Sequence, residues 1–443
     1  MTRLDEFVPG GAASRRAFLG LMGGGVALAA ATAPAQASKV RTSARIVILG
    51  AGAGGASIAN RLAERLDGAR ITVVDGKTEH WYQPGLTLIA SGLRPASYAQ
   101  STTGEWLPRG ITWVQEHAAE VDPEAKRVVT TGGQRLDYDY LIVSTGLVLD
   151  WDAVEGFDLA RVGPQTGTGA HYAGPDHAVK TWQAMDAFTD RGGHALFTRP
   201  ATEMKCAGAP IKYCFLTDDY LRRKGTRDAS HITYAAHSGI MFGVPVINEK
   251  VRIIMRRQEV EVCYHHVLQS VDMDRRLATF RTQDGTAEIE YDFFNVIPPQ
   301  RAPQVIRDSG LAWADRWTDQ GWIEVDMHTL RHARYPEVFG IGDINGVPKG
   351  KTAASVKWHL PVVEDHLIAQ IQGREGTASY NGYTSCPLIT RVGRAMLVEF
   401  DYQDNLVPSF PGIVAPLEEL WISWLMKEVA LKATYNAMLR GRA

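Results

Sequence analysis

Arg45-Ile46-Val47-Ile48-Leu49-Gly50-Ala51-Gly52-Ala53-Gly54-Gly55-Ala56-Ser57-Ile58 is the stretch on which the fold turns. Its first five residues form a short apolar run, as a buried parallel strand requires. A glycine turn follows, and from Ala56 to Leu62 the pattern is helical. Gly50 permits the tight turn, and Gly52 lets the backbone come close to a pyrophosphate. Gly55 lets the helix pack on the strand, and the phosphates meet the helix N-terminus. A second strand, Arg70-Ile71-Thr72-Val73-Val74, ends in Asp75, 25 residues after Gly50. An acid at that place accepts hydrogen bonds from a ribose diol. Strand, turn, helix, strand and acid in this order predict an α/β dinucleotide-binding domain of the Rossmann type.

Two later segments decide which dinucleotide. Tyr140-Leu141-Ile142-Val143-Ser144-Thr145-Gly146 resembles the strand and turn that follow the first unit in two-dinucleotide flavoproteins. Val338-Phe339-Gly340-Ile341-Gly342-Asp343 resembles their second FAD motif, in which the aspartate binds the ribityl chain. The cofactor implied is FAD, and its domain is discontinuous, with another domain inserted. The expected fold class is α/β: two Rossmann-like domains, the second a degenerate pyridine-nucleotide-like one, plus a C-terminal membrane-interface region. The expected boundaries are 38–150 and 291–360 for the FAD domain, 151–290 for the insert and 361–443 for the C-terminal region.

The chain has 443 residues, 45% hydrophobic and 22% charged, an ordinary globular composition with room for two or three domains. A net charge of -2 lacks the basic excess of a nucleic-acid binder, so no such partner is expected. No metal cluster is expected either. Residues 1–37 read as a twin-arginine signal peptide: Ser14-Arg15-Arg16-Ala17-Phe18-Leu19, an uncharged glycine-diluted stretch, and the small-x-small site Ala35-Gln36-Ala37. The implied location is the periplasm, where a disulfide can persist.

In NADH-using relatives the inserted domain repeats the strand, glycine turn and helix. Here the strand Gly193-His194-Ala195-Leu196-Phe197-Thr198 runs into Arg199-Pro200-Ala201-Thr202-Glu203-Met204-Lys205-Cys206-Ala207-Gly208-Ala209-Pro210. Two prolines and long side chains replace the glycines, so a pyrophosphate could not approach. The electrons then come from a donor other than NAD(P)H. Pro210 suits a first helical turn, with the helix running from Ile211 to Arg222. A Cys206 thiolate there gains from the helix dipole and from Lys205 or Lys212. Cys386 falls in the turn-rich Asn381-Gly382-Tyr383-Thr384-Ser385-Cys386-Pro387. Catalytic cysteines, a structural disulfide and two unrelated thiols all fit these two positions. Cys214 and Cys263 read as packing residues.

Lys205-Cys206-Ala207-Gly208-Ala209-Pro210 with Leu216-Thr217-Asp218-Asp219-Tyr220-Leu221-Arg222 resembles the signature of type II sulfide:quinone oxidoreductases. Tyr383-Thr384-Ser385-Cys386-Pro387-Leu388 with Glu399-Phe400-Asp401-Tyr402 does so too, as do His80-Trp81-Tyr82-Gln83-Pro84-Gly85, Lys351-Thr352-Ala353-Ala354 and Asn436-Ala437-Met438-Leu439-Arg440-Gly441. The resemblance spans the chain beyond the signal segment. It implies that Cys206 and Cys386 are bridged at rest, directly or through an extra sulfur. Hydrosulfide opens the bridge, the freed thiolate reduces FAD, and sulfane sulfur leaves with a sulfur acceptor. It further implies FAD contacts at Ala53, Gly54, Asp75, Gln83, Ala118, Asp343, Lys351, Thr352, Ala353 and Ala354, beside Gly50, Gly52, Gly55 and Gly146. Lys351 would stand near the pyrimidine end of the flavin.

The electron acceptor implied is membrane quinone. After Pro416, Leu417, Leu420, Trp421, Trp424, Leu425, Leu431, Tyr435 and Met438 recur at helical spacing. With Lys427 and Lys432 they predict an interfacial helix lying on the inner membrane, while Glu418 and Glu419 argue against a spanning one. A homo-oligomer is compatible with this set. Ile297-Pro298-Pro299-Gln300-Arg301-Ala302 instead looks like the related flavin subunit of flavocytochrome c sulfide dehydrogenase, in which cytochrome c would be the acceptor. A flavin-binding protein with a structural disulfide and no sulfide turnover is the reading from another class.

Overall fold

The computed structural model describes residues 39–442; the signal-peptide reading of 1–37 lies outside the described residues. Strand β1 (Arg45–Leu49) leads through the glycine turn into helix α1 (Ala53–Arg65). Strands β2 (Arg70–Val74), β3 (Thr112–Val114) and β4 (Tyr140–Val143) follow. The chain then builds β5 (Thr168–Gly169), α2 (Pro175–Arg191), β6 (Gly193–Thr198), α3 (Ala209–Lys224) and β7 (Ser230–Ala235). Helix α4 (Pro245–Arg257), β8 (Glu261–Cys263) and β9 (Phe293–Asn295) complete this insert. The chain returns to the first domain at β10 (Val338–Gly340), and α5 (Ala353–Ile371) closes that domain's second segment.

Two parallel five-stranded sheets result. One has the order β10-β4-β1-β2-β3, the other β5-β9-β6-β7-β8. Parallel strands covered on both faces need continuous apolar runs, and Ile46, Ile48, Ala195, Leu196 and Phe197 are fully buried. Strand β9 pairs with β6 (Ala195 with Phe293), so the second sheet runs past residue 290. That pairing is long-range and leaves no local mark in the chain.

The C-terminal part begins with an antiparallel hairpin of β11 (Thr384–Arg391) and β12 (Arg394–Phe400), Cys386 facing Val398 in register. Cys386 therefore sits in a strand, not in the turn its neighbours suggest. The hairpin is two-stranded, so Pro387 can occupy a strand edge without breaking a sheet. The last helix starts at Trp421 rather than after Pro416. The Leu420 N–H is spent on the carbonyl of Ala395 in β12 at 2.9 Å, which holds that residue extended. The helix runs as α6 (Trp421–Leu425), a π-helical stretch (Met426–Ala430) and α7 (Leu431–Leu439). No helix among the described residues is long and apolar enough to cross a membrane.

Helix α3 is held to its neighbours through two adjacent aspartates, Asp218 and Asp219. Its Asp218 carboxylate, 2% exposed, pairs with Arg227 at 2.7 Å and Arg222 at 2.9 Å. Arg227 donates onward to the carbonyls of Ser230, Gln258 and Glu259, tying α3 to β7 and to the end of α4. Asp219, next to it, accepts the Val392 N–H at the hairpin turn, 2.9 Å away. Removing one member of a buried pair leaves the other charge desolvated and unpaired, at a cost of about 3–5 kcal/mol. Asp218→Ala should lose roughly that much in denaturant unfolding, whereas trimming the half-exposed Arg222 to Ala should lose about 1 kcal/mol or less.

Candidate active site

Each glycine of the first turn has its own reason. Gly50 has φ +94°, and a Cβ there would lie 2.4 Å from the Ser144 carbonyl oxygen. A Cβ on Gly55 would meet the Gly50 carbonyl oxygen at 1.8 Å, and one on Gly54 would strike Ser144 and Ile341. Gly52 is the opposite case: apart from its two chain neighbours, nothing in the protein lies within 4 Å of that point. Helix α1 also has no side-chain cap at Gly52. Open backbone over uncapped helix amides is the cradle that a dinucleotide pyrophosphate fills. Asp75, at the end of β2, accepts the amides of Ala51 (2.7 Å) and Lys77 (2.9 Å). Ala118 begins a strand directly after His117, whose ring lies where a Gly76 side chain would start, so it stands beside Asp75. Gly146 takes φ +67° in open space, next to a buried Thr145 hydroxyl without a protein partner. Asp343 has no side-chain hydrogen bond among the described residues, and burial moves its pKa up. These residues fit FAD.

The cysteines meet beside the Lys351 segment. Cys206 precedes α3 in the left-handed region, φ 47°, and donates its N–H to the Lys351 carbonyl at 2.9 Å. Its own carbonyl accepts from Ala209 N–H (2.8 Å) and Tyr172 OH (3.0 Å), so the strained turn is held from three sides. The Cys206 and Cys386 sulfurs, both thiols here, are 4.0 Å apart. Gly208 makes room: a Cβ there would lie 2.6 Å from the Cys386 sulfur. Lys212, in the first turns of α3, points its Nζ at both sulfurs, 3.3 Å from Cys206 and 3.8 Å from Cys386.

The pair shares one negative charge. A hydrogen bond from Cys386 and the Lys212 ammonium hold Cys206 well below the usual thiol range, against burial. Cys386, the donor and the more buried thiol, moves up. Burial works against the Lys212 charge, but the sulfurs outweigh it and raise its pKa. Cys214 lies fully buried in α3 with its pKa pushed up by burial, a packing residue.

Other predicted residues converge on the same place. Gln83 accepts from Lys205 Nζ at 2.7 Å, joining the Gln83–Gly85 turn to the Cys206 segment. Thr352 caps α5 by accepting Ser355 N–H, and its hydroxyl meets that of Thr384 at 2.8 Å. Ala353 and Ala354 form the first turn of α5 behind that cap. Lys351 is buried, donates to the carbonyls of Asp343 (2.6 Å) and Asn345 (2.9 Å), and lies over the Trp322 ring. Burial brings its pKa down to about 8.

Lys427 departs from expectation. It is 3% exposed and donates to the Pro84 carbonyl at 2.6 Å, so it is no membrane-surface lysine. It sits in the π-helical stretch, whose wider turn redirects side chains from their regular places. Burial and the charge of Lys212 lower its pKa to about 8. Tyr172, which no local pattern marks, joins the site by donating its hydroxyl to the Lys205 and Cys206 carbonyls. Arg301 is a structural residue: it pairs with Asp150 at 2.8 Å where residues 300–301 bridge residues 148–149.

The profile of the pyridine nucleotide-disulphide oxidoreductase family matches residues 44–169, the first dinucleotide unit. The chain is 35% identical over 400 residues to the mitochondrial sulfide:quinone oxidoreductase of Mus musculus, covering 89% of this chain and 86% of the relative. The chain belongs to the sulfide:quinone oxidoreductase family. Its Dictyostelium discoideum counterpart is again 35% identical, over 405 residues, covering 91% of this chain and 88% of that relative. The structure of the sulfide:quinone oxidoreductase from Aquifex aeolicus superposes with a TM-score of 0.75 at 17% identity, covering 90% of this chain and 92% of that one. At that identity the likeness speaks to the fold.

If Lys212 holds the thiolate, its removal shows in Cys206 reactivity. In the reduced protein, Lys212→Met should move the pH midpoint of Cys206 alkylation upward by roughly one pH unit or more. An unchanged midpoint would separate Lys212 from the sulfur charge.

Proposed function

We propose that this protein is an FAD-dependent sulfide:quinone oxidoreductase that oxidises sulfide to sulfane sulfur at Cys206 and Cys386. The observation that carries this reading is the Lys212 ammonium reaching both sulfurs, in the place where a nucleotide turn would otherwise stand. With the pair bridged, hydrosulfide forms a bond to one bridge sulfur as the bond to the other breaks. One cysteine then carries a persulfide and the other leaves as a thiolate, a departure that a low thiol pKa favours. Lys212 holds that charge, Cys206 N–H stays on the Lys351 carbonyl, and the crowded Gly208 turn keeps both sulfurs in place. FAD supplies an acceptor for the electron pair and a donor to quinone.

FAD is held by Gly50, Gly52, Ala53, Gly54, Gly55, Asp75, Gln83, Ala118, Gly146, Asp343 and the Lys351-Thr352-Ala353-Ala354 run. Lys351, buried and cationic, suits a reduced flavin's negative charge. Export by the twin-arginine route places the enzyme in the periplasm, folded with its cofactor. The C-terminal helix lies on the inner membrane, supported by the half-exposed Trp421 and Val429. Quinone enters there, and a small-molecule acceptor removes the sulfane sulfur. The Arg301–Asp150 pair gives Arg301 a role that needs no cytochrome.

Anaerobic sulfide should bleach the flavin absorbance while NADH leaves it unchanged, and a short-chain quinone should restore it. Cys206→Ser and Cys386→Ser should each slow bleaching by about 10²-fold or more, the scale of removing a nucleophile's activated partner. Bleaching that is unaffected in both variants would mark the pair as structural. A cytochrome c that co-purifies in fixed ratio, with no quinone reduction, would assign a different acceptor.

A further inference from the structure

Helix α4 carries an outer face that the sulfide chemistry does not use. Val246 is 44% exposed and Ile253 45%, seven residues apart on one side of the helix. The same helix holds Lys250, Arg252, Arg256 and Arg257 against a single acid, Glu249. Two of its cations fasten it to the start of the C-terminal segment: Arg257 binds Glu419 through both nitrogens at 2.7 and 2.9 Å, and Lys250 lies 3.9 Å from Glu418. At about 100° per residue, Val246 and Ile253 fall within about 60° of the line through Lys250 and Arg257. They therefore flank the C-terminal segment, two residues beyond which Trp421 is 48% exposed. Among the described residues, Arg252 and Arg256 reach only Glu249 of their own helix, at 3.4 and 3.6 Å between exposed side chains. Such pairs are weak and exchange readily for other anions.

We infer that α4 is a second membrane-contact element, laid beside the C-terminal helix, with Val246 and Ile253 entering the interface and Arg252 and Arg256 meeting anionic phospholipid headgroups. This rests on the membrane reading above and extends it from one helix to two from separate parts of the chain. Apolar side chains flanked by arginines on an amphipathic helix match the boundary between acyl chains and anionic headgroups. The occupant is a bilayer because the surface continues the face that a lipid-soluble quinone must reach. The Arg257–Glu419 clamp would hold the two elements at a fixed relation and orient the entrance.

The test is co-sedimentation of the holoenzyme with vesicles of phosphatidylcholine, with and without phosphatidylglycerol. The paired change Val246→Glu with Ile253→Glu should lower binding to both vesicle types at least about fivefold. Arg252→Gln with Arg256→Gln should remove only the gain that phosphatidylglycerol brings. Both variants should keep flavin content and turnover with a water-soluble quinone, which shows that they fold. Wild-type binding by the glutamate variant overturns the inference. If Trp421→Ala still loses binding in that case, the C-terminal membrane reading stands alone; if Trp421→Ala also binds normally, that reading falls with it. An unaltered phosphatidylglycerol dependence in the arginine variant overturns the headgroup assignment. A wild-type dimer that becomes a monomer in the glutamate variant, with vesicle binding intact, gives the face to a second copy of the chain and overturns the proposal.

Discussion

One buried ammonium organises the site. Lys212 is 4% exposed, and a lysine so placed normally loses its charge unless anions hold it. The two sulfurs do so, and in return the Cys386 hydrogen bond and Lys212 together lower the Cys206 pKa against its burial. The arrangement is reciprocal in the reduced pair: the sulfurs hold the lysine's charge, and the lysine, with the hydrogen bond from Cys386, holds the thiolate. Its geometry depends on α3, whose first turns carry Lys212 and whose last turns are fixed by Asp218 and Asp219 to the sheet and to the hairpin bearing Cys386. Anchoring at both ends lets one helix set the distance between residues 180 positions apart.

The same economy links sulfur to cofactor. Cys206 hangs by its amide from the Lys351 carbonyl, and Thr352 joins α5 to the strand that carries Cys386. A shift in the second dinucleotide segment is thus felt at Cys206 through a backbone hydrogen bond and at the Cys386 strand through a pair of threonine hydroxyls. Coupling of this kind suits a reaction in which electrons must cross from the sulfurs to the flavin, because it fixes that gap on rigid elements.

The features that could be read from the chain alone are those whose cause is local. The glycine turn, the strand ending in Asp75 and the Pro210 helix start each state their geometry within a few neighbours. So does the lost second turn, since prolines and long side chains cannot imitate glycine. What escaped was set by distant partners. Cys386 looks like a loop residue because Gly382 and Pro387 surround it, yet pairing with β12 makes it a strand. Lys427 looks like a polar-face lysine because a regular 3.6-residue period puts it there, and a π-helical stretch breaks that period. Tyr172 supports the Cys206 turn from a segment with no pattern of its own.

The central claim is that Cys206 and Cys386 are joined and reopened by sulfide. Non-reducing peptide mapping by mass spectrometry, before and after one equivalent of sulfide under anaerobic conditions, tests it most directly. The account predicts a Cys206–Cys386 cross-linked peptide in the isolated enzyme, with or without one extra sulfur. After sulfide, one of the two should carry a persulfide and the other should be free to alkylate. Two unlinked, alkylatable cysteines in an isolated enzyme that still transfers electrons from sulfide to quinone would contradict it.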